Sequence, residues 1–425
     1  MKIAVLGLWH LGCVTAACAA KHFDVTGLDF DAANVARLRD GHAPLLEPGL
    51  DALLQAGLAA GRLRFTSEIK AACGDAEILW VTYDTPVDEN DQADTESVLR
   101  EVRRCVPALP KGALVLLSSQ LPVGTCRQLE AEFGAAGYRF ACSPENLRLG
   151  RALEVFTAAD RVIAGCRDER AKAQLTALFA PFTREIVWMR PESAEMTKHA
   201  INSFLAVSIT FMNEVARLCE ATGADAKEVE RGLKSESRIG PKAYLSPGGA
   251  FAGGTLARDV VTLSGLGQKF AEPLEVLPAI KRSNDQHRQW AAQRIQRLFA
   301  GQTGRRVALL GLTYKPGTST LRRSAAVELA RTLAAAGFEV RAFDPAAPAL
   351  PADLAFLQLK TGAAAAVDGA DAVVVCTEWP EFRTLDWPAL LPRLRRPLVL
   401  DAGRFLEKAL AGQPGLQYVT VGSSA

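Results

Sequence analysis

The sequence predicts an α/β protein with two α/β domains, joined by a long central helix and a helical middle domain. Three observations support this: strands and helices alternate from residue 2, residues 192–222 have helical apolar spacing without proline, and the alternation restarts after residue 304. The 425 residues are also too many for one core, because domains usually contain about 100–200 residues. We expect domain limits at 1–190, 191–300 and 301–425.

The N-terminal third has the pattern of a βαβ unit. Lys2 to Gly7 is a short apolar run that predicts a strand, Gly12 to His22 is compatible with a helix, and Asp24 to Asp29 predicts a second strand. Further strands are predicted at Ile78–Thr82, Ala113–Ser118 and Arg161–Gly165. A parallel, Rossmann-like sheet covered by helices follows from this order.

The remaining elements are predicted in the same way. Glu192 to Thr222 should form one long helix, and about Ala279 to Phe299 a second helical stretch. Beyond residue 304, strands are predicted at Val307–Gly311, Glu339–Phe343, Ala372–Cys376 and Leu398–Asp401, with a helix at Ser324–Ala336. This second alternation predicts another Rossmann-like domain.

Composition excludes several classes of partner. The net charge is +2, and lysine and arginine are spread along the chain, so nucleic-acid binding is not expected. No apolar run approaches the roughly 18 residues of a membrane span, and the first strand begins at once, which leaves no room for a signal peptide. The nine cysteines show no metal-binding or disulfide spacing. We expect a cytoplasmic protein with free thiols and no metal.

A glycine-rich turn after the first strand predicts a dinucleotide site. The turn runs from Gly7 to Gly12, but the middle glycine of the usual pattern is Trp9, where any side chain stands in the place of the phosphate. Asp29 lies at the distance expected for a ribose-binding carboxylate, which favours NAD over NADP. Two interpretations of Trp9 remain open: the indole fills the phosphate site, or the turn is rearranged with the indole swung outward.

Residues 247–259, Pro-Gly-Gly-Ala-Phe-Ala-Gly-Gly-Thr-Leu-Ala-Arg-Asp, resemble the catalytic loop of the UDP-glucose/GDP-mannose dehydrogenases. That family's loop resembles Pro-Gly-x-Gly-Phe-Gly-Gly-Ser-Cys-Leu-Pro-Lys-Asp, so Thr255 occupies the position of the catalytic cysteine. The similarity covers essentially the whole chain. It implies oxidation of a primary alcohol to a carboxylate by two hydride transfers to NAD, with a thioester in the second half. A threonine hydroxyl is far harder to deprotonate than a thiol.

The resemblance also implies other catalytic residues. Lys198 and Asn202, four apart on the long helix, match the lysine and asparagine that hold the oxyanion and water, and Asp259 matches a carboxylate that acts with a neighbouring lysine, here Arg258. Glu145 is retained within Ser-Pro-Glu-Asn-Leu-Arg-Leu-Gly. A second glutamate of that motif is Leu149, however, and the threonine of a preceding Ser-Thr-x-Pro turn is Gln120. The three losses concern the second oxidation and hydrolysis.

Contacts to the sugar nucleotide and the cofactor follow from the same resemblance. Arg238 matches an arginine that crosses a dimer to the substrate, and its guanidinium suits a diphosphate. The substrate residues are expected to be Glu145, Lys198, Asn202, Arg238, Phe251, Gly253 and Lys315, and the cofactor residues Gly7, Trp9, Gly12, Asp29, Thr85 and Arg322. The partners expected are therefore NAD, a nucleotide-diphosphate sugar, preferably a UDP-sugar, and a second copy of the chain.

Three functions remain open from the sequence. The first is an NAD-dependent dehydrogenase of a nucleotide-diphosphate sugar that stops after one hydride transfer. The second is a four-electron UDP-glucose 6-dehydrogenase that works through an aldehyde hydrate. The third is a non-catalytic homologue that binds a sugar nucleotide but no NAD, because Trp9 closes the phosphate site.

Overall fold

The structure is a computed structural model that describes residues 1–88, 91–252, 254–347 and 349–423. The chain divides into two compact units, residues 1–201 and 202–425, and the division falls inside the long helix that was predicted from the sequence. Each unit contains a largely or wholly parallel sheet with helices, so the predicted α/β fold class is confirmed.

Unit 1 contains an eight-stranded sheet. Its strands are β1 (Lys2–Leu6), β2 (Asp24–Leu28), β3 (Leu63–Thr66), β4 (Ile78–Val81), β5 (Leu114–Leu117), β6 (Arg139–Cys142), β7 (Val162–Gly165) and β8 (Ile186–Met189). Its helices are α1 (His10–Ala19), α2 (Ala32–Arg39), α3 (Leu50–Ala59), α4 (Ile69–Cys73), α5 (Thr95–Cys105), α6 (Thr125–Phe133), α7 (Ala152–Thr157) and α8 (Glu169–Phe179), followed by α9 (Pro191–Thr222), which continues into unit 2. The strand order is β3-β2-β1-β4-β5-β6-β7-β8, with only the β6–β7 pair antiparallel.

Unit 2 contains a six-stranded parallel sheet. Its strands are β9 (Arg306–Leu310), β10 (Glu339–Phe343), β11 (Gln358–Leu359), β12 (Ala372–Val375), β13 (Leu398–Asp401) and β14 (Gln417–Val419). Its helices are α10 (Ala226–Ser235), α11 (Thr255–Phe270), α12 (Val276–Arg288), α13 (Trp290–Leu298), α14 (Ala325–Ala335), α15 (Ala363–Val367) and α16 (Trp387–Leu390). The strand order is β11-β10-β9-β12-β13-β14, which repeats the order of the first six strands of unit 1.

The central strands are apolar because both faces of each sheet are covered. Every residue of β4, β5 and β12 is buried, and separate apolar clusters lie on the two faces of each sheet. Parallel sheets buried on both faces have continuous apolar strands and not alternating ones. This is why the predicted strands β1, β2, β4, β5, β7, β9, β10, β12 and β13 all form, within one or two residues of their expected limits.

The first turn has the same geometry in both sheets. Gly7 follows β1 with φ +91°, and Gly311 follows β9 with φ +94°, in the left-handed region that favours glycine. The next amide, Leu8 N, donates to Asp29 after β2, and Leu312 N donates to Asp344 after β10, each over 2.7 Å. Both units therefore direct a carboxylate from the second strand toward the turn that follows the first.

Two sequence-based expectations need correction. Residues 279–299 were predicted as one helical stretch, but α12 and α13 are separate helices divided at Gln289. Residues 247–259 were interpreted as a loop throughout, but the loop ends at Gly254, and Thr255 to Asp259 form the first turns of α11. Gly254 adopts φ +101°, and this backbone conformation lets the helix begin directly after the glycines. Within the described ranges, the structure contains no helix whose length and apolar character would suit a bilayer.

Candidate active site

The glycine-rich turn of unit 1 is formed as a dinucleotide site requires. A Cβ atom at Gly12 would lie 1.8 Å from Gly7 O, and one at Gly7 would lie 2.7 Å from the ring of Tyr83. Both glycines are therefore required for the close packing of β1, α1 and β4. Asp29 accepts hydrogen bonds from Leu8 N and Asp31 N, which fix its carboxylate beside the turn.

Trp9 occupies the N-cap position of α1. Its φ of −87° is ordinary for a residue with a side chain, so the backbone here does not itself require glycine. Half of the Trp9 surface (50%) is exposed, and the indole is therefore not packed into the core. Gly7, Gly12 and Asp29 fit a dinucleotide, and Trp9 occupies the position at which the usual pattern has its middle glycine.

Glu47 connects this turn to a second segment of unit 1. Its side chain is only 1% exposed, and Oε2 lies 2.9 Å from His10 Nε2 in the first turn of α1. The same carboxylate accepts Gly150 N at 2.8 Å and Ala152 N at 2.9 Å. Burial opposes ionisation of Glu47, but the hydrogen bonds from Gly150 and His10 outweigh it and hold the pKa of this carboxyl below its ordinary value. The sequence contains no local pattern that predicts this connection, because the residues are about 40 and 100 positions apart.

Lys198 lies in unit 1, on the part of α9 that packs against the loop after β6. Its side chain is buried, with 7% exposed, and Nζ donates to Glu145 O at 2.6 Å and to Asn146 Oδ1 at 3.1 Å. Both acceptors are neutral groups. Because neither contact neutralises the ammonium, the positive charge of Lys198 remains available to an oxygen atom that becomes negative. The carboxylate of Glu145 accepts Leu147 N and shapes the loop.

A small pocket adjoins Lys198. It is lined by Leu117, Ser119, Gln120, Leu121, Cys142, Pro144, Glu195, Lys198 and His199. Burial raises the pKa of the Glu195 carboxyl, although the N–H groups of Cys126 and Gly124 oppose this shift. Thr85, expected at the cofactor, is 5% exposed, and its hydroxyl donates to Gln120 O at 2.7 Å. Thr85 therefore fixes the position of the Gln120 backbone.

In unit 2, Asn202 and Asp259 form a direct contact. Asp259 is fully buried in the second turn of α11 and accepts a hydrogen bond from Asn202 Nδ2 on α9. Arg258 Nε lies 4.0 Å from Asp259 Oδ1. Thr255 begins the same helix and is exposed. Asn202 and Asp259 thus hold each other, while Thr255 is accessible at a helix N-terminus.

The loop before Thr255 is held by three side chains that sequence analysis did not select. Asn284 accepts Phe251 N at 3.0 Å and donates to Phe251 O at 2.9 Å, while Asn213 accepts Gly248 N at 3.0 Å. His287 Nε2 donates to Gly248 O at 2.8 Å. Burial lowers the pKa of His287 despite this hydrogen bond, and the nearby Arg217 contributes in the same direction. Amide and imidazole groups at α9 and α12 therefore fix the backbone of the loop.

The remaining predicted residues of unit 2 lie on its surface or near it. Arg238 is 86% exposed in its side chain and pairs with Glu236 at 2.9 Å. Lys315 is partly buried, and Arg322 is exposed. Arg323, where the resemblance expects a glutamate, approaches α11: its Nη1 would lie 3.4 Å from a Cβ atom at Gly254. Gly253 lies outside the described residues.

Comparisons with known protein families agree with this organisation. Residues 1–183 match the NAD binding domain of the UDP-glucose/GDP-mannose dehydrogenase family, residues 192–286 its central domain, and residues 308–408 its UDP binding domain. The chain is 36% identical to a UDP-glucose 6-dehydrogenase of Pseudomonas aeruginosa over 442 aligned positions, which cover 99% of this chain and 97% of the relative. It is 32% identical to a UDP-glucose 6-dehydrogenase of Rhizobium meliloti, with 99% of both chains covered.

Solved structures show the same relationship. A UDP-glucose dehydrogenase from the archaeon Pyrobaculum islandicum has a TM-score of 0.88 at 31% identity, covering 99% of this chain and 98% of that one. A UDP-D-ManNAc dehydrogenase from Pyrococcus horikoshii has a TM-score of 0.86 at 26% identity, with both chains fully covered. The chain therefore belongs to the UDP-glucose/GDP-mannose dehydrogenase family, which consists of NAD-dependent nucleotide-sugar dehydrogenases.

Proposed function

We propose that this protein oxidises a nucleotide-diphosphate sugar, preferably a UDP-sugar, with NAD and stops after one hydride transfer. The observation that carries the proposal is the contrast at the start of α11. Thr255 occupies the cysteine position and is exposed, while Asp259, one turn later, is fully buried and bonded to Asn202. The buried Asp259–Asn202 pair that supports the site is present, whereas the cysteine that the resemblance implies as the nucleophile is absent.

The first oxidation needs few protein groups. When bound, NAD would supply the hydride acceptor, and the hydroxyl proton would leave to water. Lys198 stabilises the negative charge that develops on the reacting oxygen, because its ammonium contacts only neutral acceptors in the protein. Asn202 orients the reacting group through its amide, which is itself oriented by Asp259. No covalent intermediate is required for this step.

The second oxidation needs a nucleophile, because an aldehyde can give a hydride only after an addition to its carbonyl. A cysteine thiol has a pKa near 8.5 in the absence of neighbours, whereas an aliphatic hydroxyl needs a strong base to become a nucleophile. Thr255 is also β-branched, which restricts its hydroxyl. Leu149 and Gln120 replace two further groups that the resemblance assigns to water activation. We infer that the aldehyde or ketone is released.

The substrate is assigned by the residues predicted to contact it. Arg238 and Lys315 supply positive charge for a diphosphate, and Phe251, fixed by Asn284, supplies part of the substrate loop. The resemblance also assigns Gly253 to this loop. We propose that residues 1–190 bind NAD at Gly7, Gly12, Asp29 and Thr85, with Arg322 of the last domain contributing. Residues 191–300 would carry the dimer contact, and residues 301–425 would bind the nucleotide.

The homodimer is proposed from an apolar surface on α9. Phe204, Phe211 and Leu218 are 70%, 49% and 66% exposed and are spaced by seven residues, so they lie along one side of the helix. Large apolar side chains in a continuous exposed stripe are typical of protein–protein contacts. A second copy of the chain covers this stripe in our proposal, and Arg238 then reaches the partner's substrate.

Stoichiometry tests the proposed function directly. Purified protein is incubated with a set of UDP-sugars and NAD, and the NADH formed per sugar consumed is measured together with the carbonyl product, trapped by a hydrazine. We expect one NADH and a trapped carbonyl. The Thr255→Cys variant should gain a second NADH and form the acid, whereas Thr222→Cys, an exposed threonine at the end of α9, should behave as the parent.

Two other outcomes identify the alternatives. The relatives named UDP-glucose 6-dehydrogenase favour a UDP-glucose 6-dehydrogenase activity. With Thr255 in the cysteine position, this chain would reach the acid through an aldehyde hydrate, and two NADH with a uronate from the parent protein would establish it. A non-catalytic homologue would bind UDP-sugar but give no heat with NAD in calorimetry.

A further inference from the structure

Six arginines lie at one edge of the sheet in unit 2, and we refer to them as the arginine edge. They are Arg305, Arg306, Arg341, Arg393, Arg395 and Arg396. Each precedes β9 or β13 by a few residues or lies within the first three residues of β9 or β10. Because the paired strands of this sheet are parallel, this edge is opposite the carboxyl ends of the strands, where open α/β sheets bind their ligands. The arginines come from three separate segments of the sequence, and the fold brings them together.

Two carboxylates at this edge contact three of its arginines. Asp371 is 1% exposed in its side chain and contacts Arg305 Nη1 at 2.9 Å and Arg395 Nη1 at 3.4 Å. A buried carboxylate needs a cationic partner, and one cation balances its charge. Asp368 pairs with Arg393 at 3.1 Å. These five side chains therefore carry three positive and two negative charges.

The remaining arginines of the edge have one carboxylate among them. Glu339 contacts Arg306 Nη2 at 2.9 Å and Arg341 Nε at 3.0 Å. Arg396 donates to the neutral amide oxygen of Gln417 at 2.6 Å. In the part of the chain that the structure describes, six arginines thus contact three carboxylates. The arginine edge has an excess of positive charge, which attracts an anionic partner.

The exposed arginines have donors that the protein itself does not use. A guanidinium carries five N–H donors. Among the described residues, Arg395 directs one of them to Asp371, and Arg393 directs one to Asp368. Their side chains are 48% and 44% exposed, so the other donors face solvent. Each group is oriented by its carboxylate before a partner arrives, and this reduces the entropy lost on binding.

The spacing of the arginines suits an extended peptide. Arg341 lies in β10 and Arg396 precedes β13, and the sheet order β10-β9-β12-β13 separates these strands by three steps. At about 4.8 Å per step, the arginine edge is about 14 Å wide. An extended peptide covers this width with about four residues and directs alternate side chains to the same side. Carboxylates at alternate positions would therefore all face the arginines, whose planar groups bind carboxylates through two parallel hydrogen bonds.

A nucleic acid fits this surface less well. Single-stranded nucleic acids are bound by aromatic rings on which bases stack, together with cationic groups. Phe299 is the ring that the arginines approach, with Arg305 and Arg396 at 5.8 and 5.7 Å from its centroid. It is 3% exposed and therefore offers no face to a base. Glu339 and Asp368 also lie between the arginines and would repel a chain that carries a charge on every unit.

We propose that the arginine edge is a docking surface for an acidic segment of a partner protein, which binds in an extended conformation with Asp or Glu at alternate positions. The carboxylates of this segment replace water at the free donors of Arg393, Arg395 and Arg396. Recognition of acidic segments by clustered arginines is a known mode of peptide binding. The surface lies away from the carboxyl ends of the strands, and the inference does not depend on the reaction that the protein catalyses.

Fluorescence anisotropy with a labelled peptide, Glu-Gly-Glu-Gly-Glu, tests the inference. The parent protein should bind the peptide, the affinity should fall as salt is added, and the same peptide with Gln in place of Glu should not bind. A double variant, Arg395→Gln with Arg396→Gln, should bind the acidic peptide about tenfold more weakly. Folding is not endangered in this variant, because Asp371 keeps its contact with Arg305.

The matched control changes the net charge by the same amount at another place. Arg231 on α10 and Arg331 on α14 are 76% and 52% exposed and pair with Glu228 and Asp353. The double variant Arg231→Gln with Arg331→Gln should bind the peptide as the parent does. Equal affinities of the two double variants would overturn the proposal, because the attraction would then depend on net charge and not on the arginine edge.

Two further measurements separate this proposal from other occupants and from the proposed function. Tighter binding of a single-stranded oligonucleotide than of the peptide, lost in Arg395→Gln with Arg396→Gln, would refute the peptide. Self-association in light scattering that the same variant abolishes would also refute it, because a second copy would then cover the edge. Formation of NADH from a UDP-sugar should be equal in all variants. A parent that binds the peptide but oxidises no sugar nucleotide contradicts the proposed function and leaves the docking surface in place.

Discussion

Replacement of Glu47 should loosen the segment that precedes α7. The buried carboxylate accepts Gly150 N and Ala152 N and contacts His10 Nε2, all within 2.9 Å. A hydrogen bond to a charged group contributes about 1.5–3 kcal/mol, and a buried N–H left without an acceptor costs a comparable amount. Glu47→Ala removes the acceptor of two N–H groups, so we expect a local destabilisation of about 3–5 kcal/mol. Glu47→Gln keeps one acceptor oxygen and should cost about half as much.

Hydrogen exchange measures this effect where it occurs. A chain with two compact units need not unfold in one step, so a global melting temperature would mix several events. Exchange of the backbone amides in residues 144–157 should accelerate strongly in Glu47→Ala and less in Glu47→Gln. The control is Glu154→Gln on α7, whose exposed carboxylate pairs with Arg151. Unchanged protection at Gly150 and Ala152 in Glu47→Ala would refute the reasoning.

The pH dependence of the same segment follows from the lowered pKa of Glu47. A carboxyl whose pKa is lower in the folded state stabilises that state fully above its unfolded-state pKa, and the contribution is lost as the pH falls through the folded-state value. Protection of residues 144–157 in the parent should therefore decline on acidification below the ordinary carboxyl range. In Glu47→Gln this decline should be absent.

Three further predictions concern other parts of the molecule. Trp9→Gly should strengthen NAD binding about tenfold in calorimetry, because one additional charge-assisted hydrogen bond to phosphate contributes at least about 1.4 kcal/mol; weaker binding would mean that the indole itself contacts the cofactor. Burial lowers the pKa of His287 from 6.5. The contribution of His287 to the free energy of unfolding of unit 2 should therefore be constant above pH 6.5 and decrease as the pH falls toward the folded-state pKa. The His287→Gln variant should lack this decrease. Phe211→Glu should halve the mass measured by light scattering, whereas Phe356→Glu, an exposed phenylalanine outside α9, should leave it unchanged.

The sequence predicted the central strands β1, β4, β5, β9 and β12 well, but it missed the edge strands β3, β8, β11 and β14 and also β6, which lies inside its sheet. Strands such as β4 and β5 consist of apolar residues that are buried on both faces, so composition alone identifies them. The missed strands β3, β6 and β8 contain arginine, threonine or partly exposed positions, and their assignment depends on pairing with neighbours. Tertiary pairing of this kind leaves no local pattern.

The helix that begins at Thr255 was missed for a related reason. The glycines that precede it, together with Gly265 and Gly267 inside it, lower the helix propensity of the segment. The helix is stabilised instead by tertiary packing: Val260 and Ala257 join an apolar cluster with Phe251 and Ile280, and Asp259 is held by Asn202. The residues that hold the preceding loop, Asn284 and His287, could not be selected either, because only the fold brings α12 beside it.

The distribution of the substitutions is itself an argument about function. Decay of an unused site should also affect the groups that hold it together, since a buried charge without a partner is among the most costly defects in a protein. Asp259 is fully buried and bonded to Asn202, and Lys198 retains two acceptors. The changes that the resemblance implies fall on Thr255, which is exposed, and on Leu149 and Gln120, which are partly buried and leave no buried charge unpaired. The buried residues Asp259, Asn202 and Lys198 thus keep their partners, while the implied change falls on the reactive position, Thr255. This distribution favours an enzyme with altered chemistry over one that has lost its activity.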